Sequence, residues 1–414
     1  MCGTCHPWQW RYYRQTGPVY GEASAPTRWE NTLAPWIVEQ GFTRGCNDPS
    51  IFYHEDRDLL VLTFVDDVYC DGEAEDVEWF FQLMEERFKC KDADYIDSNT
   101  PLDYLGMILM QDDTSTYLSM EPYIDNACRI LEIKPAKRAS TPISQPIDCD
   151  APLLEGRDIK KFLTGLGMLG WLSITSRLDV AYTYSRIAQH SARPNQSAWH
   201  AIIKAFQYLH ATKDMCIRSD MADADMNVES VFNNSTSRPI NVWEFFTDSD
   251  HAGNAEEQNR RRSQNGMVCT INGAPYKWAS KASSVTFATP LIGEAHADMS
   301  SGAAEVYAAG NATLDILAFS YTAEEQGMDD FPMPFTLQMD NTAAKIFCEG
   351  SAQKTKLKHI DCRQEWVQTL RDRSIMIPEY VPTEDNIADI MTKILGPKVF
   401  IVLRDRVMSR KGLK

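Results

Sequence analysis

The sequence predicts an α/β protein built in two parts, and three observations support this prediction. Runs of apolar, strand-forming residues alternate with segments whose apolar residues recur at helical spacing. Two turn-rich stretches, residues 135–152 and 221–239, are expected to be linkers. The chain has 414 residues, 43% of them hydrophobic, which is ample for a core and indicates two or three domains.

The first elements of the chain are expected to be a helix, a hairpin and a second helix. WENTLAPWIVEQGF (29–42) predicts a helix closed by Gly41. Residues 50–72 predict a β-hairpin with acidic turn residues at 55–58. Residues 76–88 predict an amphipathic helix, because their apolar side chains fall on one helical face.

The middle of the chain is expected to be mainly helical. DYLGMILMQ (103–111) predicts one strand, and EPYIDNACRILEI (121–133) predicts a helix. Two further helical stretches are expected at 158–190 and 195–211.

The last part alternates strands and helices. The expected elements, in order, are a strand (241–254), a hairpin with Asn272-Gly273 at its turn, a helix (300–319), a strand (335–341), a helix (358–373), a strand (375–382) and a helix (383–394).

Charge is unevenly distributed along the chain, whose net charge is −17. Residues 1–240 hold 22 Lys and Arg against 35 Asp and Glu, a net charge of −13, and the remainder holds 19 against 23, a net charge of −4. This balance argues against nucleic-acid binding by net charge alone. Two basic clusters could follow a nucleic-acid backbone or could be solvated surface; they are Arg260, Arg261 and Arg262, and Lys354, Lys356 and Lys358.

Cysteine usage and hydropathy indicate an intracellular protein outside membranes. The eleven cysteines are an odd number scattered over the chain, which favours reduced thiols. No apolar run approaches the ~18 residues of a membrane span, and the N-terminus lacks the apolar segment of a signal peptide. Cys2 to His6 (CGTCH) has the spacing of haem attachment, but no export signal and no second zinc-ligand pair accompany it, so neither site is predicted.

Two adjacent carboxylates, Asp66 and Asp67, interrupt the apolar run LLVLTFVDDVYC (59–70). A solvated turn is the common interpretation of such a pair. An unpaired charge within an apolar strand is costly, however, and a divalent cation would offset that cost. A metal site is therefore the alternative interpretation.

Four further acids lie at positions where they could converge. Asp248 and Asp340 end predicted strands, Glu305 lies on a predicted helix, and Asp389 lies near the start of another. Carboxylates in such an arrangement can hold two divalent ions ~3.5–4 Å apart, which is the arrangement used for phosphodiester hydrolysis. Each acid alone would more commonly be a surface residue, so the prediction rests on their order and element types.

The series of motifs resembles the Pol polyprotein of copia-type long-terminal-repeat retrotransposons, from about residue 17 to residue 396. FVDDVYC stands where that family has its Tyr-Val-Asp-Asp box, and DYLGMIL resembles a palm segment. TDSDHAG, KWASK, SSGAAEVYAA, QMDNTAA, KHIDCR and YVPTEDNIADIMTK resemble the family's ribonuclease H in the same order.

The resemblance implies a domain arrangement and an α/β fold. The implied regions are an unplaced tail (1–16), a partial reverse transcriptase palm of α+β type (17–134), a thumb- or connection-like helical region (135–240), a ribonuclease H domain with a mixed five-stranded sheet and flanking helices (241–396), and a basic C-terminal tail (397–414).

The resemblance also implies site residues and cofactors. Asp66 and Asp67 correspond to the polymerase metal pair. The nuclease would use two Mg²⁺ ions, which Mn²⁺ can replace, with Asp248 and Asp340 bridging or ligating and Glu305 and Asp389 ligating and orienting water. Glu294 and Asp298 are rivals for the place of Glu305.

The implied partners are an RNA–DNA hybrid, template RNA with its primer, and the rest of the polyprotein, in a cytoplasmic virus-like particle or the nucleus. The family's upstream aspartate box, Asp-Val-x-x-Ala-Phe, is absent, as are the integrase and protease boxes. The sequence is therefore expected to be a C-terminal fragment whose polymerase half is inactive alone. A degenerate, non-catalytic copy and a non-catalytic nucleic-acid-binding protein are the alternative interpretations.

Overall fold

The structure, a computed structural model, groups the chain into two compact units: Met1–Ala93 with Ala318–Asp329, and Asp94–Leu317 with Asp330–Lys414. The residues it describes are 22–96, 100–112, 114–136, 139–220, 242–250, 262–283, 301–325, 334–350 and 358–410, together with the short strands 228–229, 237–238, 287–288 and 295–296. The fold class is α/β, as predicted. The domain boundaries given above stay predictions.

The first unit contains a small antiparallel sheet and two helices. Helix α1 (Ala25–Glu39) begins with a proline in its first turn and is followed by Gly41, whose φ of +101° ends it as predicted. Helix α2 (Ala74–Arg87) buries Phe80 and Met84. The four strands, in sheet order, are β1 (Thr43–Arg44), β2 (Ile51–His54), β3 (Leu59–Phe64) and β4 (Asp67–Asp71).

The hairpin predicted over residues 50–72 contains one strand more than expected. A short 3₁₀ turn at Glu55–Arg57 joins β2 to β3, as the acidic residues there predicted. A second turn at Val65 and Asp66 then joins β3 to β4, and Val65 has a φ of +56°. The carboxylate pair therefore lies at a hairpin tip between two strands.

The second unit begins with three strands and a helix. They are β5 (Leu102–Tyr104), β6 (Met107–Gln111), β7 (Ser115–Ser119) and α3 (Glu121–Ile130). The single strand predicted over 103–111 was wrong, because Leu105 and Gly106 both have positive φ and turn the chain into a hairpin.

Three further helices follow and contribute to a buried core. They are α4 (Arg157–Thr175), α5 (Ala181–Ala188) and α6 (Gln196–Ala211). Asn195 caps α6 by accepting a hydrogen bond from Ala198 N. The predicted linker at 135–152 is packed against this core, since Ile143 and Ile147 are buried in it.

After β8 (Met215–Asp220), the short strands β9 (Val228–Glu229) and β10 (Ser237–Arg238) pair with each other.

The C-terminal residues are folded, whereas the sequence was interpreted as a basic tail there. Much later in the chain, residues Pro397–Asp405 form a helix and Ser409–Arg410 a strand that pairs with β8.

This C-terminal helix is held by a buried network of charged side chains. Arg177 donates two hydrogen bonds to Asp179, at 3.0 and 2.7 Å, and Tyr208 donates one to Asp179 at 2.5 Å. Arg404, from the C-terminal helix, donates to Tyr208 Oη at 3.3 Å. The basic residue thus points into the core, which a tail of solvated lysines and arginines would not do.

The predicted mixed five-stranded sheet is confirmed. Its strands are β11 (Trp243–Asp250), β12 (Gln264–Ile271), β13 (Ala274–Ala282), β16 (Phe335–Met339) and β17 (Met376–Tyr380). They are arranged in the order β13-β12-β11-β16-β17, antiparallel from β13 to β11 and parallel from β11 to β17. Asn272 and Gly273 form the β12–β13 turn with positive φ, as predicted.

The remaining elements lie between these strands in the sequence or follow them. They are the strand pair β14 (Phe287–Ala288) and β15 (Ala295–His296), and the helices α7 (Ser301–Glu325), α8 (Thr342–Cys348) and α9 (Lys358–Asp372). The helix predicted over 383–394 is two 3₁₀ turns, Thr383–Asp385 and Ile387–Met391. The C-terminal elements become α10 (Pro397–Asp405) and β18 (Ser409–Arg410).

The sheet and the helices α4 to α6 share one hydrophobic core. Phe246 and Val268 of the sheet belong to the same buried cluster as Leu169 of α4 and Phe206 of α6. Trp278 on β13 donates its indole N–H to Ser173 O on α4 at 2.6 Å. Among the described residues, no helix is long and apolar enough to cross a membrane.

Candidate active site

Asp66 and Asp67 lie at an exposed hairpin tip in the first unit. Both side chains are exposed, and the neighbouring Phe64 and Val65 are 55% and 51% exposed. The structure therefore places this pair in contact with solvent, and its assignment to a polymerase site stays a prediction.

Three of the four acids predicted for the nuclease site come together in the second unit. Asp248 is the residue after Thr247 on β11, and Asp340 is the residue after Met339 on the parallel strand β16, where Thr247 and Met339 are paired. Asp389 belongs to the second 3₁₀ turn. One carboxylate oxygen from each of Asp248, Asp340 and Asp389 lies within 4.8 Å of the others.

The fourth acid, Glu305, lies beside this cluster on α7. Its side chain is only 5% exposed, and the carboxylates of Asp248 and Asp340 interact electrostatically with it. The backbone N–H of Ser249 donates a hydrogen bond to the Glu305 carboxylate, while Oε2 has no hydrogen-bond partner within the described ranges. A buried carboxylate oxygen of this kind is suited to bind a cation.

Asn386 and Gly266 bring Asp389 to the sheet. Asn386 accepts a hydrogen bond from Ala388 N at 3.1 Å and donates one to Thr247 O at 3.0 Å, which fixes the 3₁₀ turn next to β11. A side chain at Gly266 would lie 2.6 Å from Thr392, 2.7 Å from Met391 and 2.9 Å from Ala388 O. Only glycine leaves room for this close approach.

Two residues that the sequence analysis did not single out complete the cluster. The Lys393 ammonium lies 2.8 Å from Asp389 Oδ1 and 3.4 Å from Asp248 Oδ2. The Thr392 hydroxyl donates a hydrogen bond to Asp248 Oδ2. A signal existed in ADIMTK (388–393), because Lys393 follows Asp389 by the four residues that place side chains on one helical face.

Burial and mutual repulsion hold protons on the cluster. Burial, with the nearby Asp248 and Asp340, raises the pKa of Glu305 to about 9, against the opposing hydrogen bond from Ser249. Burial and Asp248 raise the pKa of Asp389 to about 7, while Lys393 opposes this shift. Burial lowers the pKa of Lys393, but the carboxylates of Asp248 and Asp389 outweigh burial and raise it.

The donor set fits a hard divalent cation. All four acids offer carboxylate oxygens, which Mg²⁺ and Mn²⁺ prefer to nitrogen or sulfur ligands. Raised carboxyl pKa values are the expected result of packing acids together without enough positive charge. Lys393 supplies one positive charge beside these four acids, and bound divalent cations would supply more.

The other candidate residues lie largely outside the described part of the chain. This applies to Arg260, Arg261, Lys354 and Lys356, to the side chain of Lys358, to Glu294 and Asp298, and to Cys2–His6. Arg262 is described, is half-buried and lies two residues before β12. The nucleic-acid-binding role of these residues stays a prediction.

Comparison with known proteins identifies relatives along nearly the whole chain, although no family model matches. The chain is 22% identical over 401 residues to the retrovirus-related Pol polyprotein from transposon TNT 1-94 of Nicotiana tabacum, covering 94% of this chain and 27% of the relative. The chain is similar to retrovirus-related Pol polyproteins from plant transposons over nearly all of its length. The Pol polyprotein from transposon RE2 of Arabidopsis thaliana is also 22% identical, over 92% of this chain and 24% of its own length.

The chain spans about a quarter of the length of the curated relatives that it matches. Among solved structures, LC11-RNase H1 matches 37% of the chain at 18% identity with a TM-score of 0.27, over 94% of its own length. An N-terminal RNase H domain from Mycobacterium tuberculosis matches 40% of the chain at 16% identity with a TM-score of 0.24, over 97% of its own length.

Proposed function

We propose that the second unit is a metal-dependent nuclease that hydrolyses the RNA strand of RNA–DNA hybrids. One observation carries the proposal: Asp248, Asp340 and Asp389 bring carboxylate oxygens within 4.8 Å of one another, beside the buried Glu305. The order and spacing of these acids also fit the ribonuclease H motifs that the sequence resembles. We also propose that the chain derives from a retrotransposon of the copia type.

The acids have separate roles in the proposed reaction. Asp248 and Asp340, at the ends of adjacent parallel strands, would each hold a metal ion, and Glu305 and Asp389 would complete the ligand sets from either side. Two Mg²⁺ ions, when bound, supply a water activated for attack and stabilise the leaving oxygen of the phosphodiester. Asn386 keeps Asp389 at the sheet, and Lys393 neutralises part of the acid charge.

The proposal is tested by cleavage of an RNA–DNA hybrid in Mg²⁺ by the purified chain and by Asp340→Asn. The substitution keeps the shape of the side chain and removes one charged oxygen, so we expect a loss of on the order of 10²-fold or more in cleavage rate, as for other groups that stabilise charge in the transition state. Glu379→Gln is the matched control, because Glu379 is exposed at the end of the neighbouring strand β17.

Each outcome of this assay has a definite meaning. Cleavage that disappears in Asp340→Asn and persists in Glu379→Gln supports the nuclease. A folded chain that cleaves nothing would contradict it and would favour a degenerate copy that retains the acids without the activity. Cleavage that Asp340→Asn leaves unchanged would point to a contaminating nuclease.

For the first unit, we propose that Asp66 and Asp67 are two of the metal ligands of a polymerase palm and that this chain alone does not extend a primer. Support comes from their place at the exposed β3–β4 tip, where a template, primer and metal could reach them. The same proposal covers the remaining parts of a polymerase site. It also covers assembly of the chain with the rest of a polyprotein, in a virus-like particle or in the nucleus. A primer-extension assay on an RNA template tests it; extension by this chain alone would overturn it.

A further inference from the structure

Thr392 is a buried residue whose two side-chain branches contact different parts of the candidate active site. It is 0% exposed. Its hydroxyl donates to Asp248 Oδ2, and its methyl group lies against Gly266, where an added side-chain carbon would be only 2.6 Å away. Gly266 is paired with Asp248 across the antiparallel strands β11 and β12. Thr392, Gly266 and Asp248 are therefore each in contact with the other two.

We infer that Thr392 is a positioning residue that fixes the direction of the Asp248 carboxylate for metal binding. This inference rests on the proposed metal site and deepens it. A terminal carboxylate can rotate broadly about its last torsion angle, and a hydrogen bond to one defined oxygen selects one orientation. The hydroxyl of Thr392 supplies that bond from a residue that does not itself ligate the ion.

The contact of the Thr392 methyl group restricts the χ1 rotamer and therefore the direction in which the hydroxyl points. A β-branched side chain has few accessible χ1 rotamers. The space above Gly266 accepts the methyl group, so the hydroxyl is left pointing toward Asp248, with a longer contact of 3.4 Å to Asp389 O. The same glycine that admits the 3₁₀ turn to the sheet thereby also sets the rotamer of Thr392.

Lys393 contacts the same oxygen of Asp248 but cannot perform this task. Its ammonium is 3.4 Å from Asp248 Oδ2 and its side chain is 33% exposed. A point charge on a flexible four-carbon stem balances charge without selecting a carboxylate orientation. Positioning of Asp248 is therefore assigned to Thr392, and charge balance to Lys393.

Two substitutions at one position separate the two branches of the side chain. Thr392→Val keeps the shape and the methyl contact with Gly266 but removes the hydroxyl. Thr392→Ser keeps the hydroxyl but removes the methyl group. Thr369→Val is the matched control, because the Thr369 hydroxyl donates to Glu365 O within the exposed surface of α9, away from the acids.

The test is calorimetric binding of Mn²⁺ to the full chain, with the melting temperature in EDTA measured beside it. We expect Thr392→Val to weaken Mn²⁺ affinity on the order of 10- to 100-fold, as loss of outer partners of metal ligands commonly does. Thr392→Ser is expected to recover most of the affinity while melting lower in EDTA than Thr392→Val, because the buried methyl contact is lost. Thr369→Val is expected to bind as the unsubstituted chain does.

The contrary outcomes are equally clear. Unchanged Mn²⁺ affinity in Thr392→Val, or equal weakening in both Thr392 variants, would overturn the positioning role. A chain that binds no Mn²⁺ would overturn it together with the metal site. Mn²⁺ binding with the expected pattern, but without cleavage of a hybrid, would contradict the proposed nuclease function and leave the role of Thr392 established.

Discussion

The Lys393 ammonium lies 2.8 Å from Oδ1 of Asp389, which is four residues earlier in the chain, and 3.4 Å from Asp248 Oδ2. A lysine thus occupies part of the space in which a metal ion would balance the same carboxylates. In the proposed metal-bound state, Lys393 and the ion would together balance the charge of these carboxylates.

Replacement of Lys393 by methionine is expected to change stability and metal affinity in opposite directions. The metal-free protein should melt several degrees lower, because the carboxylates lose their cation. Mn²⁺ should bind more tightly, because it no longer competes with an ammonium group. Melting in EDTA and calorimetry measure the two effects, and Lys345→Met, which removes only the surface pair with Glu349, is the control. Weaker Mn²⁺ binding in Lys393→Met would show that the ammonium assists the ion instead.

Stability of the metal-free protein is expected to fall as pH rises from 7 to 9, because of Glu305. Its pKa is raised from 4.5 to about 9 on folding. A carboxyl group with a raised folded pKa binds more protons in the folded state, so its contribution is full below its unfolded pKa and is lost as pH rises toward its folded pKa. Asp389, with a pKa of about 7, adds to the fall only at lower pH.

Thermal melting in EDTA across this pH range checks that expectation. Glu305→Gln should remove most of the fall between pH 7 and pH 9, and Glu379→Gln should leave it in place. A melting temperature that is flat over this range in the unsubstituted chain would contradict the assigned burial of Glu305.

Gly266→Ala is expected to disrupt the candidate site without touching an acid. The added carbon would lie 2.6 Å from Thr392, 2.7 Å from Met391 and 2.9 Å from a backbone oxygen, so the 3₁₀ turn must shift away from β12. We expect a loss of about 1–3 kcal/mol in the free energy of unfolding, as for other overpacked positions, and weaker Mn²⁺ binding because Asp389 moves with the turn. Gly396→Ala, where a side chain would meet no atom within 4 Å, is the control.

A fragment of residues 241–414 is expected not to fold, although it contains all four candidate acids. Phe246, Val268 and Trp278 pack in one core with helices α4 to α6, which this fragment lacks. Circular dichroism and the cooperativity of thermal unfolding test this, with residues 94–414 as the comparison. Cooperative unfolding of the short fragment would show that the nuclease sheet is an independent domain.

The sequence predicted most elements and the convergence of the acids, because both depend on local pattern. Asp248 and Asp340 follow apolar strands, and the carboxyl ends of adjacent parallel strands meet at one edge. The sequence alone does not indicate the inferred role of Thr392, because that role depends on Gly266, which is 126 positions away along the chain. Contacts of this kind are set by tertiary packing and leave no periodic signal.

The errors have similar physical causes. The hairpin within 103–111 was not predicted, because Leu105 takes a positive φ, which is uncommon for leucine and is not indicated by the sequence. Residues 397–410 were interpreted from their basic charge, although Phe400, Leu403 and Val407 recur at helical spacing and are buried. The metal-binding and catalytic roles of the acids remain predictions.

The central claim, that the acid cluster is the metal-dependent catalytic site, is tested most directly by titrating Mn²⁺ while both ion binding and hybrid cleavage are followed in the same sample. We predict that binding and cleavage rise together over the same Mn²⁺ concentrations and that both are lost in Asp340→Asn. Cleavage that persists in Asp340→Asn, or that rises without binding at the cluster, would contradict it.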